Sequence, residues 1–149
     1  MILYVLHVRL IIKYELLLEF SISSYIHTVI GVFIFRNQHT YNPAYVVKTT
    51  EWNFTDSGLV GSSLIKIPFF LKYFTGGIEY HHIHHLNSKI PGYNLHKYHH
   101  DVKTTSYIFD NVKVLNITDC INNLSLNIYD EKRNLYITFD EADYILKNQ

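Results

Sequence analysis

Residues 61–95 read GSSLIKIPFFLKYFTGGIEYHHIHHLNSKIPGYNL, and at their centre Tyr80-His81-His82-Ile83-His84-His85-Leu86 sets four histidines in five positions. The chain holds 10 histidines in 149 residues. A window this dense has odds of about 10⁻⁴ per start position, or about 1% over the chain. A helix turns about 100° per residue, which puts His81, His84 and His85 at about 0°, 300° and 40°, inside a sector of about 100°. Three imidazoles can converge on one side of such a helix, while His82, at about 100°, lies at the margin. The competing reading is a solvated or stacked histidine patch with no ligand. Imidazole suits iron, copper, nickel and zinc, and with Cys120 as the one cysteine a thiolate cluster is excluded. Glu79 falls about 160° from His81, so such a site is nearly all imidazole, unlike carboxylate-rich di-iron bundles. A second H-x-x-H-H follows at His96, His99 and His100 in LHKYHHD. Spacing alone does not decide between the two copies.

Upstream, residues 20–35 read FSISSYIHTVIGVFIF and are closed by Arg36. Sixteen helical residues reach about 24 Å, short of the roughly 30 Å hydrocarbon core, and adding Leu17 and Leu18 draws Glu19 into lipid. Two readings stand, a marginal membrane helix or a buried or interfacial segment. Residues 1–12 are too short to cross a bilayer, and the start has neither the basic n-region nor the cleavage site of a signal peptide. Residues 36–56 are polar and turn-like. Residues 61–74 are apolar but interrupted by Lys66, Pro68 and Lys72, which suits a membrane interface with snorkelling lysine stems. Pro91 fits the start of a helix running to about Asp101.

Beyond Thr105 the composition is that of a soluble piece. There SLNIY (125–129) and LYITF (135–139) flank a polar five-residue loop and read as a β-hairpin. N-x-S/T triplets begin at Asn53, Asn116 and Asn123 and are read as chance in an asparagine-rich chain. Thirteen acids balance thirteen bases, and charged residues make up 17% against roughly 25% in an ordinary soluble domain. The length fits one domain, and the charge balance excludes a polybasic nucleic-acid binder.

The run GSS…P…TG leading into HHIHHL, then Pro91 and the YNL of residues 93–95, resembles the third histidine box of membrane-bound fatty acid desaturases, most of all the acyl-lipid branch. GVFIFRNQHTY (31–41) resembles that family's late transmembrane helix running into a Gln-His pair. LSLNIYDEKRNLYITF (124–139) resembles its cytosolic tail with an aromatic-Asp-Glu turn. The likeness spans residues 31–141.

It implies a mainly α fold: a helical, membrane-associated, di-iron desaturase-like fragment with a cytosolic cap and a small C-terminal β-hairpin. The expected organisation is an apolar segment with one marginal membrane helix (1–35), a histidine-box half (36–107) and a cytosolic tail (108–149). The implied chemistry is O₂-dependent introduction of a double bond into an acyl-lipid or acyl-CoA chain. Two irons would be served by a ferredoxin or cytochrome b5-like electron donor, at a membrane and with no nucleic acid involved. His81, His84 and His85 match the family's iron ligands, and His39 matches the histidine of the Gln-His pair as a further ligand. His99 matches a supporting position, while His96 and His100 have no counterpart. Arg36 just after the candidate span puts the histidine box and the C-terminus on the cytoplasmic side, in keeping with a reduced Cys120.

The departures carry expectations too. The family's earlier boxes, H-x(3,4)-H and H-x(2,3)-H-H, are missing, since only His7 and His27 precede His39 and neither sits in such a pattern. Residues 1–20 match the family poorly, and Gly77 stands where an asparagine is common. This chain alone is therefore expected not to be a competent desaturase, and a chain carrying the missing boxes is an expected partner. The alternatives are a non-catalytic remnant that binds membrane, metal or a partner chain, and a lipid hydroxylase or ketolase with the same histidine boxes.

Overall fold

The computed structural model describes residues 2–148, and the chain divides into two compact units, Met1–Phe35 and Arg36–Gln149. In the first, helix α1 (Ile2–Lys13) turns through Tyr14 and Glu15 into helix α2 (Leu17–His39). Glu15 takes the left-handed conformation (φ 56°) and Leu16 N–H donates back to Ile11 O at 2.9 Å, closing α1. The His7 ring meets Phe20 edge-on at 5.5 Å.

Helix α2 is longer at both ends than the 20–35 stretch that its hydropathy marked out. Its 23 residues, with a mean hydropathy of 1.6 over the most apolar window, rise about 34 Å, enough by length and composition to cross a membrane. Ser21 and Ser23 turn their hydroxyls onto the Leu17 and Phe20 carbonyls of the same helix, the arrangement that a serine in an apolar helix needs.

The second unit begins with the last turn of α2 and is built of short pieces. They are α3 (Phe54–Leu59), β1 (Ser63–Ile65), a 3-10 turn (Phe69–Leu71), α4 (Lys72–Thr75), α5 (His81–Leu86) and α6 (Gly92–Thr105). After these come β2 (Lys113–Leu115), α7 (Ile117–Asn122), a second 3-10 turn (Asn123–Ser125), β3 (Ile128–Asp130), β4 (Leu135–Ile137) and α8 (Phe139–Lys147). The described residues are mainly α. Leu59, Tyr80, Ile83, Leu95, Phe109 and Val112 form the buried core, drawn from α3, α5, α6 and the segment after α6.

The expected hairpin is present, with Ile128, Tyr129 and Asp130 opposite Ile137, Tyr136 and Leu135. Its turn is held by Asp130, which accepts from the Lys132 and Arg133 amides, and by Asn134 in the left-handed region (φ 54°). A second strand pair was not legible. β1 runs parallel to β2, Ser63 beside Lys113 through Ile65 beside Leu115; three-residue strands so far apart in sequence carry no alternation to read. β1 also touches the histidine helix, through a Leu64–Tyr80 bridge and Ile65 N–H donating to Glu79 O at 3.2 Å.

The stretch from Pro68 to Leu86 is a broken helix. α4 ends on Gly76 (φ 61°) and Gly77 (φ 86°), both left-handed, which glycine adopts at little cost. The glycines also let two backbones meet: a Cβ on Gly77 would lie 2.2 Å from Gly92 O, and one on Gly92 2.1 Å from Gly76 O. Two of the N-x-S/T asparagines are helix caps. Asn53 accepts from the Thr55 and Asp56 amides, and Asn116 forms a reciprocal capping box with Asp119, the usual use of asparagine before a helix.

Candidate metal centre

The histidine helix α5 is only six residues long, and packing sets its orientation. Ile83 is fully buried in the core, so the opposite side of the helix carries His81 and His85. His39, the last residue of α2, arrives on that side. The three Nε2 atoms converge: His39 to His81 at 3.0 Å, His81 to His85 at 3.0 Å and His39 to His85 at 3.4 Å.

His39 Nδ1 lies 3.0 Å from the Gly61 carbonyl. A carbonyl only accepts, so Nδ1 carries the proton and Nε2 presents its lone pair to the group. Three nitrogens each about 2.1 Å from one ion stand about 3.0 Å apart at right angles and about 3.4 Å apart at tetrahedral angles. The observed triangle has those edges, and its donor set is all imidazole, so the residues fit a first-row transition metal. Among the described residues these three histidines are the group spaced to hold an ion.

Electrostatics keep His81 and His85 neutral. Burial, and after it the neighbouring His85 and His39, push the His81 imidazole down to about 3. Burial followed by His39 and His84 lowers His85 as well. A neutral ring offers a lone pair where a protonated one cannot. Cys120 is buried, and desolvation, with Asp119 beside it, pushes its thiol up to about 11; it stays protonated and is no thiolate ligand.

The expected ligands do not all meet. His39, His81 and His85 do; His84 does not, its ring stacking on His81 at a centroid distance of 5.6 Å. The second H-x-x-H-H copy is dispersed: His96 lies edge-on to Tyr80 at 5.6 Å and His100 is exposed. His99 instead turns inward to His82, ring nitrogens 3.0 Å apart, and stacks flat on Phe109 at 5.1 Å. His82, marginal on a helical wheel, is fully buried, and burial, then His99, pushes it down to about 3. Sequence reasoning missed this pair because it depends on α6 packing across α5.

The last turn of α2 is equally buried. Gln38 donates from its amide to Ile78 O at 2.6 Å, and Ser63 donates to the backbone carbonyl of Asn37 at 3.1 Å. Tyr41 donates to Val60 O at 2.6 Å. These bonds draw the end of α2 to the segments on either side of β1 and to the approach to α5.

Comparison with known proteins bears on what such a site does. The family described as fatty acid desaturase matches residues 6–110. The match begins further upstream than the sequence likeness drawn from residue 31. A Bacillus subtilis (strain 168) protein named fatty acid desaturase is 32% identical over 119 residues, which cover 78% of this chain and 32% of that protein. The chain thus spans about a third of the length of this curated relative. No solved structure matches it.

Proposed function

The chain belongs to the fatty acid desaturase family, and on that premise we propose that it supplies the third histidine box of an O₂-dependent acyl-chain desaturase. The observation that carries this reading is the Nε2 triangle of His39, His81 and His85. These three hold one iron, and His84, outside the triangle, is assigned to the second iron of a complete site. Bound iron supplies O₂ activation and the removal of two hydrogens from an acyl chain, with electrons from a ferredoxin or cytochrome b5-like donor. The protein's own part is to keep His81 and His85 unprotonated, to fix the His39 tautomer through Gly61, and to hold the rings in one place before metal arrives. Helix α2 anchors the chain in the membrane, with the box and tail on the cytoplasmic side of Arg36. The acyl substrate, as a phospholipid or CoA ester, comes from that membrane.

A two-iron site needs more ligands than these, of the kind that H-x(3,4)-H and H-x(2,3)-H-H segments supply. Co-expression with a segment bearing H-x(3,4)-H and H-x(2,3)-H-H is expected to yield new double bonds in host lipids, lost again in His81→Ala. A well-folded complex that makes none overturns the proposal. The second reading is a metal- or partner-binding chain without chemistry, in which the three-histidine group takes an ion but no acyl chain is oxidised. It predicts unchanged lipids in host cells when His84→Ala replaces the native chain.

A further inference from the structure

We propose that the segment after residue 110, beyond the stretch that matches the family, is a clamp that positions His39. The proposal rests on the reading of His39 as a metal ligand. Its basis is the set of polar side chains that bracket His39 in sequence and reach across some 90 residues to the tail. Three residues before it, the Arg36 guanidinium donates from Nη2 to the Leu126 carbonyl, to Leu124 O at 3.4 Å and to Asn127 Oδ1 at 3.0 Å. Two residues before it, Asn37 accepts at its side-chain oxygen from the Asn123 amide at 3.3 Å.

Three residues after it, Asn42 imitates a strand partner for β4, donating to Tyr136 O at 2.9 Å and accepting from Tyr136 N–H at 2.8 Å. The tail is thereby attached on both sides of the ligand. The Arg36 bonds are charge-assisted and of the stronger kind, and Asn42 is held by two bonds in opposite directions.

Helix ends fray unless their backbone groups and first residues beyond are held. His39 is the terminal residue of α2; Gln38, Ser63 and Tyr41 tie its neighbours to the segments around β1 and α5, and the tail holds Arg36, Asn37 and Asn42 on the other side. A metal site tolerates displacement of about 0.5 Å, which fraying of one residue exceeds. Arg36, Asn37 and Asn42 act through His39 and are positioning residues.

The test uses the full chain in lipid nanodiscs, with Arg36→Met, Arg36→Lys and Asn42→Ala. One readout is Co(II) affinity and the ligand-field absorption of the Co(II)-loaded chain. The other is amide hydrogen exchange of the metal-free chain. Arg36→Met and Asn42→Ala are each expected to weaken Co(II) binding about tenfold or more and to alter the absorption band. Both should speed exchange at residues 36–41 while α5 and α6 stay as protected as in the native chain. Arg36→Lys, still able to reach one carbonyl, should recover part of each loss.

A Co(II) affinity within twofold of native in both variants, or unchanged exchange at 36–41, overturns the clamp. Should Arg36→Met raise exchange throughout the unit, Asn42→Ala alone decides by the same readouts. If the native chain binds no Co(II), the ligand reading fails, and exchange at 36–41 still decides whether the tail holds the helix end.

Discussion

At the site, the short reach of an imidazole decides what can meet. His81 and His85, 40° apart on a helix, are near neighbours, and periodicity is enough to pair them. His84 falls on the other side of His81, so it stacks on that ring instead of facing His39. The third corner comes from α2, 42 residues before His81, and no local pattern announces it; only the Gln-His pair of residues 38 and 39 did so, by likeness to a family. His82 shows the converse, a marginal position on the wheel that becomes fully buried once His99 and Phe109 cover it.

Burial of neutral imidazoles has a consequence for stability. In the unfolded chain His81 and His82 take up protons near 6.5, and in the folded chain only near 3. Between those values the unfolded state binds more protons, so the metal-free fold loses stability as pH falls from 6.5 toward 3 and is indifferent to these groups above it. Thermal melts in chelator from pH 8 to pH 4 should show a midpoint that is flat at first and then declines. A midpoint that rises on acidification would contradict the buried, neutral state of these rings.

Among the elements, α2, α6 and the hairpin were readable because each carries its own signal: apolar length in α2, Pro91 before α6, alternation around a polar loop in β3 and β4; α1, α3, α7 and α8 were not read from the sequence. The β1–β2 pair and the break between α4 and α5 were not, because both depend on contacts with distant chain. The break is sharp in its requirement. Gly92 faces Gly76 so closely that a methyl would sit 2.1 Å from a backbone oxygen. Gly92→Ala should therefore cost about 1–3 kcal/mol, as overpacking does, and a denaturant midpoint equal to that of the native chain would refute the close approach.

The stretch ahead of that break makes another demand. Phe69, Phe70, Tyr73 and Phe74 are 71–89% exposed, on either side of Lys72 and after Lys66, the composition of a segment lying in a lipid interface. A tryptophan placed by Phe70→Trp in a Trp52→Phe background should be quenched by brominated lipid and shielded from iodide in the reconstituted chain. A probe open to iodide and untouched by bromine would remove this segment from the membrane.

The whole molecule combines a match to the family over residues 6–110, a helix long and apolar enough to cross a membrane, and three histidines drawn together from α2 and α5. The fold class was legible through the resemblance that the histidine box carries. The three-histidine group was legible in part: the box places His81 and His85 together and the Gln-His pair pointed to His39 by resemblance, while the turn of His84 onto the His81 ring follows from packing. The tail matters for the same reason, because it secures the helix end that carries His39.

The most direct measurement is a Co(II) titration of the purified chain beside His39→Ala, His81→Ala, His85→Ala and His96→Ala. Tight binding of one ion per native chain, abolished by each of the first three substitutions and kept in His96→Ala, is the predicted result. Binding that survives all three, or that falls equally with His96→Ala, would contradict a metal centre built from His39, His81 and His85.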